Sequence, residues 1–199
     1  MSQLIVFVRH GESGANVKHI LSDHKDKYPL TPDGISHAKR AAKELRKLRF
    51  EALFSSPVLR ARQTAAIIGK EISLPVSIDK RLWERRMGRL NGKDSGNGQY
   101  KFLNGSVKYE STESVYRRTL DFMDSRDESS FVAVAHMVQQ ESIAYAIFGL
   151  DDFTGFPFRP TYASMTLFEK TGRRIKVLAS GFPELPDAVL RRVPKRFLM

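Results

Sequence analysis

Residues 3–12, Gln3-Leu4-Ile5-Val6-Phe7-Val8-Arg9-His10-Gly11-Glu12, run from an unbroken apolar stretch straight into charge. A short run rich in β-branched residues that stops abruptly at Arg9 reads as a buried strand feeding a loop. The same design recurs downstream. EALFSS at 51–56 reads as a second buried strand, 76–79 as a short one, and FVAVA at 131–135 as a further one that also ends on a histidine, His136.

Helical patterns fill the intervals. Ile35, Ala38, Ala42, Leu45 and Leu48 recur at helical spacing behind Thr31 as N-cap and Pro32 at the first helical position, which predicts a helix over about 32–48. Ser56-Pro57 is read as opening a second helix through RARQTAAIIGK. A third is expected at about 112–125 behind Ser111 or Thr112, and a fourth over 138–148, stopped by Gly149 as its C′ residue. TYASMTLFE and RRIKVLAS, separated by Lys170-Thr171-Gly172, read as a β-hairpin. The alternation predicts an α/β fold, a three-layer sandwich with a mainly parallel central sheet flanked by helices. In such sheets ligands bind beyond the carboxyl ends of the strands, where Arg9-His10, the segment from Ser55 to Arg62, and His136 fall.

A chain of 199 residues, 41% apolar and 28% charged, suits one globular domain, 1–199. The stretch of about 80–110, with glycines at 88, 92, 96, 98 and 105, reads as a loop or lid region within it. No apolar run approaches the roughly 20 residues that span a bilayer, and the opening residues lack a basic n-region, so no membrane partner and a cytoplasmic location are expected. With no cysteine, disulfides, thiolate catalysis and cysteine-ligated metals are excluded. The net charge of +11 is concentrated in residues 1–100, where 19 Lys and Arg face 10 Asp and Glu, or +9. Such a bias attracts anions: nucleic acid, acidic membrane or phosphorylated small molecules.

Arginine meets phosphate in planar, bidentate geometry, and Arg9, Arg60 and Arg62 can converge if their strands are neighbours. Their charge disfavours an imidazolium and so favours the neutral, nucleophilic form of His10. His136 can donate to phosphoryl oxygens as charge redistributes in the transition state. An alcohol leaving from phosphorus needs a proton, and Glu84, within RLWERRMGRLNGK, is the candidate general acid, with an ion-pair role among Arg81, Arg85, Arg86 and Arg89 as its rival. Glu110 and Glu113 are the next candidates. No cluster with the usual metal-ligand spacing is visible, so no metal is expected.

The sequence resembles the histidine phosphatase superfamily, the phosphoglycerate mutase-like proteins, over about residues 4–170. The resemblance rests on six ordered segments: VRHGES with Asn16, LTPDG at 30–34, SSPVLRARQTA at 55–65, LWERRMGRLNG at 82–92, STES at 111–114 followed by Arg117, and VAVAH at 132–136. It implies that His10 is phosphorylated, that Arg9, Arg60 and His136 complete the phosphate pocket, and that Glu84 is the proton donor. It further implies Asn16 as a phosphate ligand, Ser13 at the pocket wall, and Arg85 and Met137 on the substrate side. The pattern is departed from twice. Met137 follows the second histidine where family members usually have glycine, and Gln139, Gln140 and Glu141 occupy the region of an arginine that the family carries.

The reading favoured is a phosphomonoester phosphatase acting through a phosphohistidine, without a cofactor. The alternative is a phosphoglycerate mutase dependent on 2,3-bisphosphoglycerate, against which stands the short interval of 18 residues, 93–110, before STES. A non-catalytic anion or nucleic-acid binder is the third class, prompted by a pI near 10 and the tail RRVPKRFLM, but no recognisable binding module supports it. A phosphorylated small molecule is the expected partner, and a homo-oligomer is left open.

Overall fold

The computed structural model of the chain describes residues 2–95, 109–148 and 160–199. Among them a six-stranded sheet is built from β1 (Gln3–Arg9), β2 (Ala52–Ser55), β3 (Val76–Ile78), β4 (Ser130–Ala135), β5 (Met165–Thr171) and β6 (Arg174–Phe182), in the order β3-β2-β4-β1-β5-β6. The first four are mutually parallel, and β5 and β6 are added antiparallel along the β1 side. The sheet is mixed and mostly parallel, as expected.

The unbroken apolar run of β1 is explained by its position at the centre of this sheet, since both of its faces are covered. After the single turn α1 (Gly14–Val17) come the helices α2 (Pro32–Leu45) and α3 (Leu59–Ile72), whose Ala41, Leu45, Ala61, Ala65 and Ile68 pack on one side with Leu4, Val6 and Val8, together with Val193 and Phe197 from the tail. Ile5 and Phe7 face the other side, towards Phe122 and Met123 of α4 (Thr112–Asp124) and Ile143 of α5 (Met137–Phe148). There Phe7, Phe54, Phe122, Phe131 and Phe168 meet edge to face, with ring centroids 5.3–6.4 Å apart. Helices lie on both faces of one sheet, the three layers that the alternation predicts.

Some boundaries differ from expectation. Thr31 caps α2 by accepting from the Gly34 N–H, and Pro32 takes the first position, but the helix ends at Leu45. Leu48 packs instead as part of a turn and bridges to Leu198 of the tail. Helix α3 starts at Leu59, not at Pro57, and Val58 precedes it without a side-chain cap. Ser56 is therefore not the cap of this helix. The fifth strand begins at Met165, after a turn through Thr161–Ser164, and the hairpin reverses at Gly172-Arg173, Gly172 taking a positive φ of 55°. The proposed stop at Gly149 and residues 96–108 of the 80–110 loop region lie outside the described residues.

Two segments far apart in sequence meet backbone to backbone near the end of β1. A Cβ on Gly34 would lie 2.0 Å from the Glu12 carbonyl oxygen, and one on Gly11 would lie 2.3 Å from that of Gly34. Thr31 donates its hydroxyl to Glu12 and its N–H to the Glu12 carbonyl. The loop after β1 is thus clamped onto the first turn of α2, a contact that only glycine at both positions allows.

Candidate active site

His10 and His136 stand at the carboxyl ends of adjacent parallel strands, where Arg9 of β1 pairs with Ala135 of β4. The His10 N–H donates to the Ala135 carbonyl. Their rings consequently meet edge to face with centroids 5.2 Å apart. Both are buried, at 2% and 0% exposure.

His10 donates from Nδ1 to the Gly11 carbonyl at 2.7 Å, which leaves a lone pair on Nε2. Arg60 donates its Nε–H to that Nε2 at 3.0 Å. Burial first, then the charges of Arg60, His136 and Arg9, hold the imidazole well below its usual range, the bond to Gly11 opposing them. At neutral pH this is a neutral imidazole with an oriented nucleophilic nitrogen. The loop behind it is pinned to α3, since the Gly11 N–H donates to Thr64 Oγ1 and the Thr64 hydroxyl to the Arg60 carbonyl.

Arg60, 3% exposed on the first turn of α3, also donates from Nη2 to the Ser22 carbonyl and to Glu84 Oε2, both at 3.0 Å. Its Nη1 is buried and, among the described residues, meets no acceptor. Arg9 donates to the Pro160 carbonyl and lies over the Tyr162 ring at 4.3 Å, while its Nε is likewise buried without an acceptor. Burial lowers both guanidinium pKa values, yet these groups remain cationic at any physiological pH. Two buried cations with unmet donors fit an anion.

His136 Nε2 lies 2.9 Å from Ser56 Oγ and its Nδ1 lies 3.1 Å from Glu84 Oε2. An ionised carboxylate can only accept, so a neutral His136 carries its proton on Nδ1 towards Glu84, and its Nε2 accepts from the Ser56 hydroxyl, whose oxygen accepts in turn from the Val58 N–H. Burial lowers the His136 pKa against the pull of Glu84. Glu84 accepts in addition from the Arg85 N–H. Burial alone would raise its pKa, but His136, Arg60 and that N–H outweigh it and hold the carboxyl well below its usual range. Glu84 is therefore ionised in the ligand-free site, where it occupies donors that suit a phosphate.

His10, Glu84 and His136 each bring one ligand atom within 4.8 Å of the others, a donor set that by type could hold a metal. Arg60 argues against that use. Its guanidinium sits 3.0 Å from both His10 Nε2 and Glu84 Oε2 and supplies the positive charge that a metal would bring.

Five residues singled out in the sequence, His10, Arg60, Glu84, His136 and Arg9, thus share one neighbourhood, the last through its charge. The others are placed differently. Asn16 gives its side-chain oxygen to the N–H and hydroxyl of Ser13, so the two bond to each other, and among the described residues no hydrogen bond joins either to the histidines. Arg85 donates to Thr112 Oγ1 and lies over Tyr109. Met137 opens α5, partly exposed. Arg62 pairs with Asp26 at the surface. Glu110 is held by Arg118 and by the Arg86 N–H, and Glu113 by Arg117. Sequence reasoning missed Ser56, which it took for a helix cap, and gave no role to Ser22, Thr64 or Gln139.

A family model described as the histidine phosphatase superfamily (branch 1) matches residues 5–182. A 2,3-bisphosphoglycerate-dependent phosphoglycerate mutase of Thermoplasma acidophilum is 30% identical over 94% of this chain and 96% of its own length. A protein of the same name from Afipia carboxidovorans is 35% identical over 64% of this chain, a match that spans 60% of that relative. Among solved structures, YhfR of Bacillus stearothermophilus is 25% identical with a TM-score of 0.80, covering 90% of this chain and 97% of that one. A mycobacterial glucosyl-3-phosphoglycerate phosphatase shares the fold at 20% identity and a TM-score of 0.75, covering 92% of this chain and 100% of its own.

Proposed function

Given that this chain belongs to the histidine phosphatase superfamily, we propose that it hydrolyses a phosphorylated small molecule through a phosphohistidine on His10. The observation that carries this reading is the pairing of a lone pair on His10 Nε2 with the Arg60 guanidinium, whose Nη1 is buried and unsatisfied. A phosphate oxygen completes the hydrogen bonding of that nitrogen and brings phosphorus to the nucleophile.

Binding of the phosphate dianion places a second anion beside the Glu84 carboxylate, which then takes a proton from solvent. The Arg60 Nε–H turns from His10 Nε2 to a phosphate oxygen, the freed lone pair attacks phosphorus as the ester P–O bond breaks, and Glu84 gives its proton to the departing oxygen. The alcohol leaves. A water then attacks the phosphohistidine, Glu84 takes the proton of that water, and the P–N bond breaks to return the Nε2 lone pair and release phosphate. Throughout, Arg60, Arg9 and the Nδ1–H of His136 supply the positive charge and donors that the equatorial oxygens need.

The test is direct. Quenching the enzyme and labelled substrate without acid traps an alkali-stable, acid-labile phosphoenzyme, and His10→Ala forms none and loses turnover. Label on another residue, or substantial turnover by His10→Ala, overturns the mechanism.

A second reading is supported by the similarity to the Thermoplasma mutase across nearly the whole chain. In it, His10 passes the phosphoryl group to a bound phosphoglycerate, with 2,3-bisphosphoglycerate as the phosphate donor that primes it. Incubation with 3-phosphoglycerate and 2,3-bisphosphoglycerate separates the two readings: hydrolysis yields inorganic phosphate, whereas the mutase alters the isomer ratio without it.

A further inference from the structure

Gln139 lies where the resemblance to the family breaks down, yet it is wholly buried. It is the third residue of α5, and its Oε1 accepts from the His136 N–H at 3.1 Å. A glutamine at this position reaching back to the residue before the helix is half of a capping box. Satisfying that N–H with the oxygen turns the amide nitrogen the other way, where Nε2 donates to the Trp83 carbonyl at 2.7 Å. Only this orientation of the amide satisfies both neighbours.

Trp83 immediately precedes Glu84, so one side chain ties the backbone of His136 to that of the segment carrying the proposed acid. That segment needs such ties. It lies between the 3-10 turns at Lys80–Leu82 and Gly88–Leu90 and has no regular structure over residues 83–87. Arg118 holds it from α4, donating to the Arg81 and Glu84 carbonyls. Gln139 holds it from the histidine side.

We propose that Gln139 is a positioning residue for proton transfer: it fixes the spacing between His136 and Glu84 and so places the carboxyl against the oxygen that leaves. The inference rests on Glu84 being the general acid. Its signature is dependence on the leaving group, because an alkoxide needs the proton and a nitrophenolate scarcely does. A merely structural glutamine would lower the rates with both leaving groups alike.

The experiment measures kcat/KM for an alkyl phosphate and for p-nitrophenyl phosphate in four proteins: wild type, Gln139→Met, Glu84→Gln and the double variant. Gln139→Met keeps the volume and removes both bonds, and it should lower the alkyl-to-nitrophenyl ratio on the order of tenfold. In the Glu84→Gln background the same change should leave the ratio where Glu84→Gln alone has put it, because the two residues act on one step. Should Gln139→Met fold poorly, Gln139→Leu removes both bonds at similar volume, and the same fall in ratio is expected. An unchanged ratio, or an equal fall in both backgrounds, overturns the role of Gln139. If Glu84→Gln itself leaves the ratio unchanged, the acid assignment fails and this inference fails with it. A split by Glu84→Gln without one by the Gln139 variants overturns the inference alone.

Discussion

Among the described residues Arg60 uses three of its donors inside the protein and keeps Nη1 without an acceptor, whereas Arg62, one half-turn on, meets Asp26 at the surface. Lysine cannot reproduce that fork, so Arg60→Lys should lower kcat/KM on the order of 100-fold, and Arg62→Lys should change it far less. Similar small effects of the two would show that Arg60 binds no phosphate. The ionised Glu84 gives a second expectation. Sulfate, which does not titrate near neutrality, should compete with substrate and should draw about one proton into the site as it binds, because it raises the pKa of the carboxyl beside it. Calorimetry at pH 7 in buffers of different ionisation enthalpy measures that uptake, and Glu84→Gln should abolish it; uptake that persists would assign the proton to a histidine. At this scale the meeting of His10, Arg60 and His136 was legible in the sequence, because each follows the carboxyl end of a strand in an alternating α/β pattern. The sequence was not readable for the bonds of Ser56 to His136 and of Gln139 to Trp83, which join residues 80 and 56 positions apart in the chain. A serine before proline looks the same whether it caps a helix or holds an imidazole.

The contact between the loop after β1 and the start of α2 determines how firmly His10 is seated. With Glu12 O only 2.0 Å from the place of a Gly34 Cβ, Gly34→Ala must push the two segments apart. It should destabilise by about 1–3 kcal/mol, the usual range for overpacking, and lower kcat more than KM rises. Denaturant unfolding and steady-state kinetics check the two halves, and wild-type kinetics would mean that His10 is seated independently of α2. The LTPDG segment shows what periodicity can and cannot give. Thr31 and Pro32 announce the helix start correctly because capping is local chemistry. Leu48 extends the apolar spacing past the true end of α2 because its burial comes from the tail, a contact with residues some 150 positions on that no local pattern contains.

Across the whole molecule, the buried site and the stability of the fold are linked through protons. His10 is held neutral below its usual pKa of about 6.5, so the unfolded chain takes up a proton first as the medium is acidified. Glu84, Glu110 and Asp79, all depressed, slope the same way at lower pH. Stability should be greatest above about pH 7 and fall on acidification below about 6.5, with a limiting slope of about 1.4 kcal/mol per pH unit for each such histidine. Thermal unfolding between pH 5 and 8 measures this, and His10→Ala should flatten part of the fall; a flat profile in the wild type would mean that His10 is protonated in the folded protein. The alternation of strands and helices gave the layers, but not the strand order, since nothing local places β4 between β1 and β2 or turns the final hairpin against β1. That order has a consequence of its own. The gap between His10 and His136 is a repeat of the backbone ladder joining two neighbouring strands, a length that side chains in either strand cannot edit. Variation for a new substrate is therefore channelled into the loops at 11–28 and 79–95. A library confined to those loops, with Gly11, Ser22 and Glu84 left unchanged, should change which phosphate ester is turned over, while the spacing of His10 and His136 stays the same in every member.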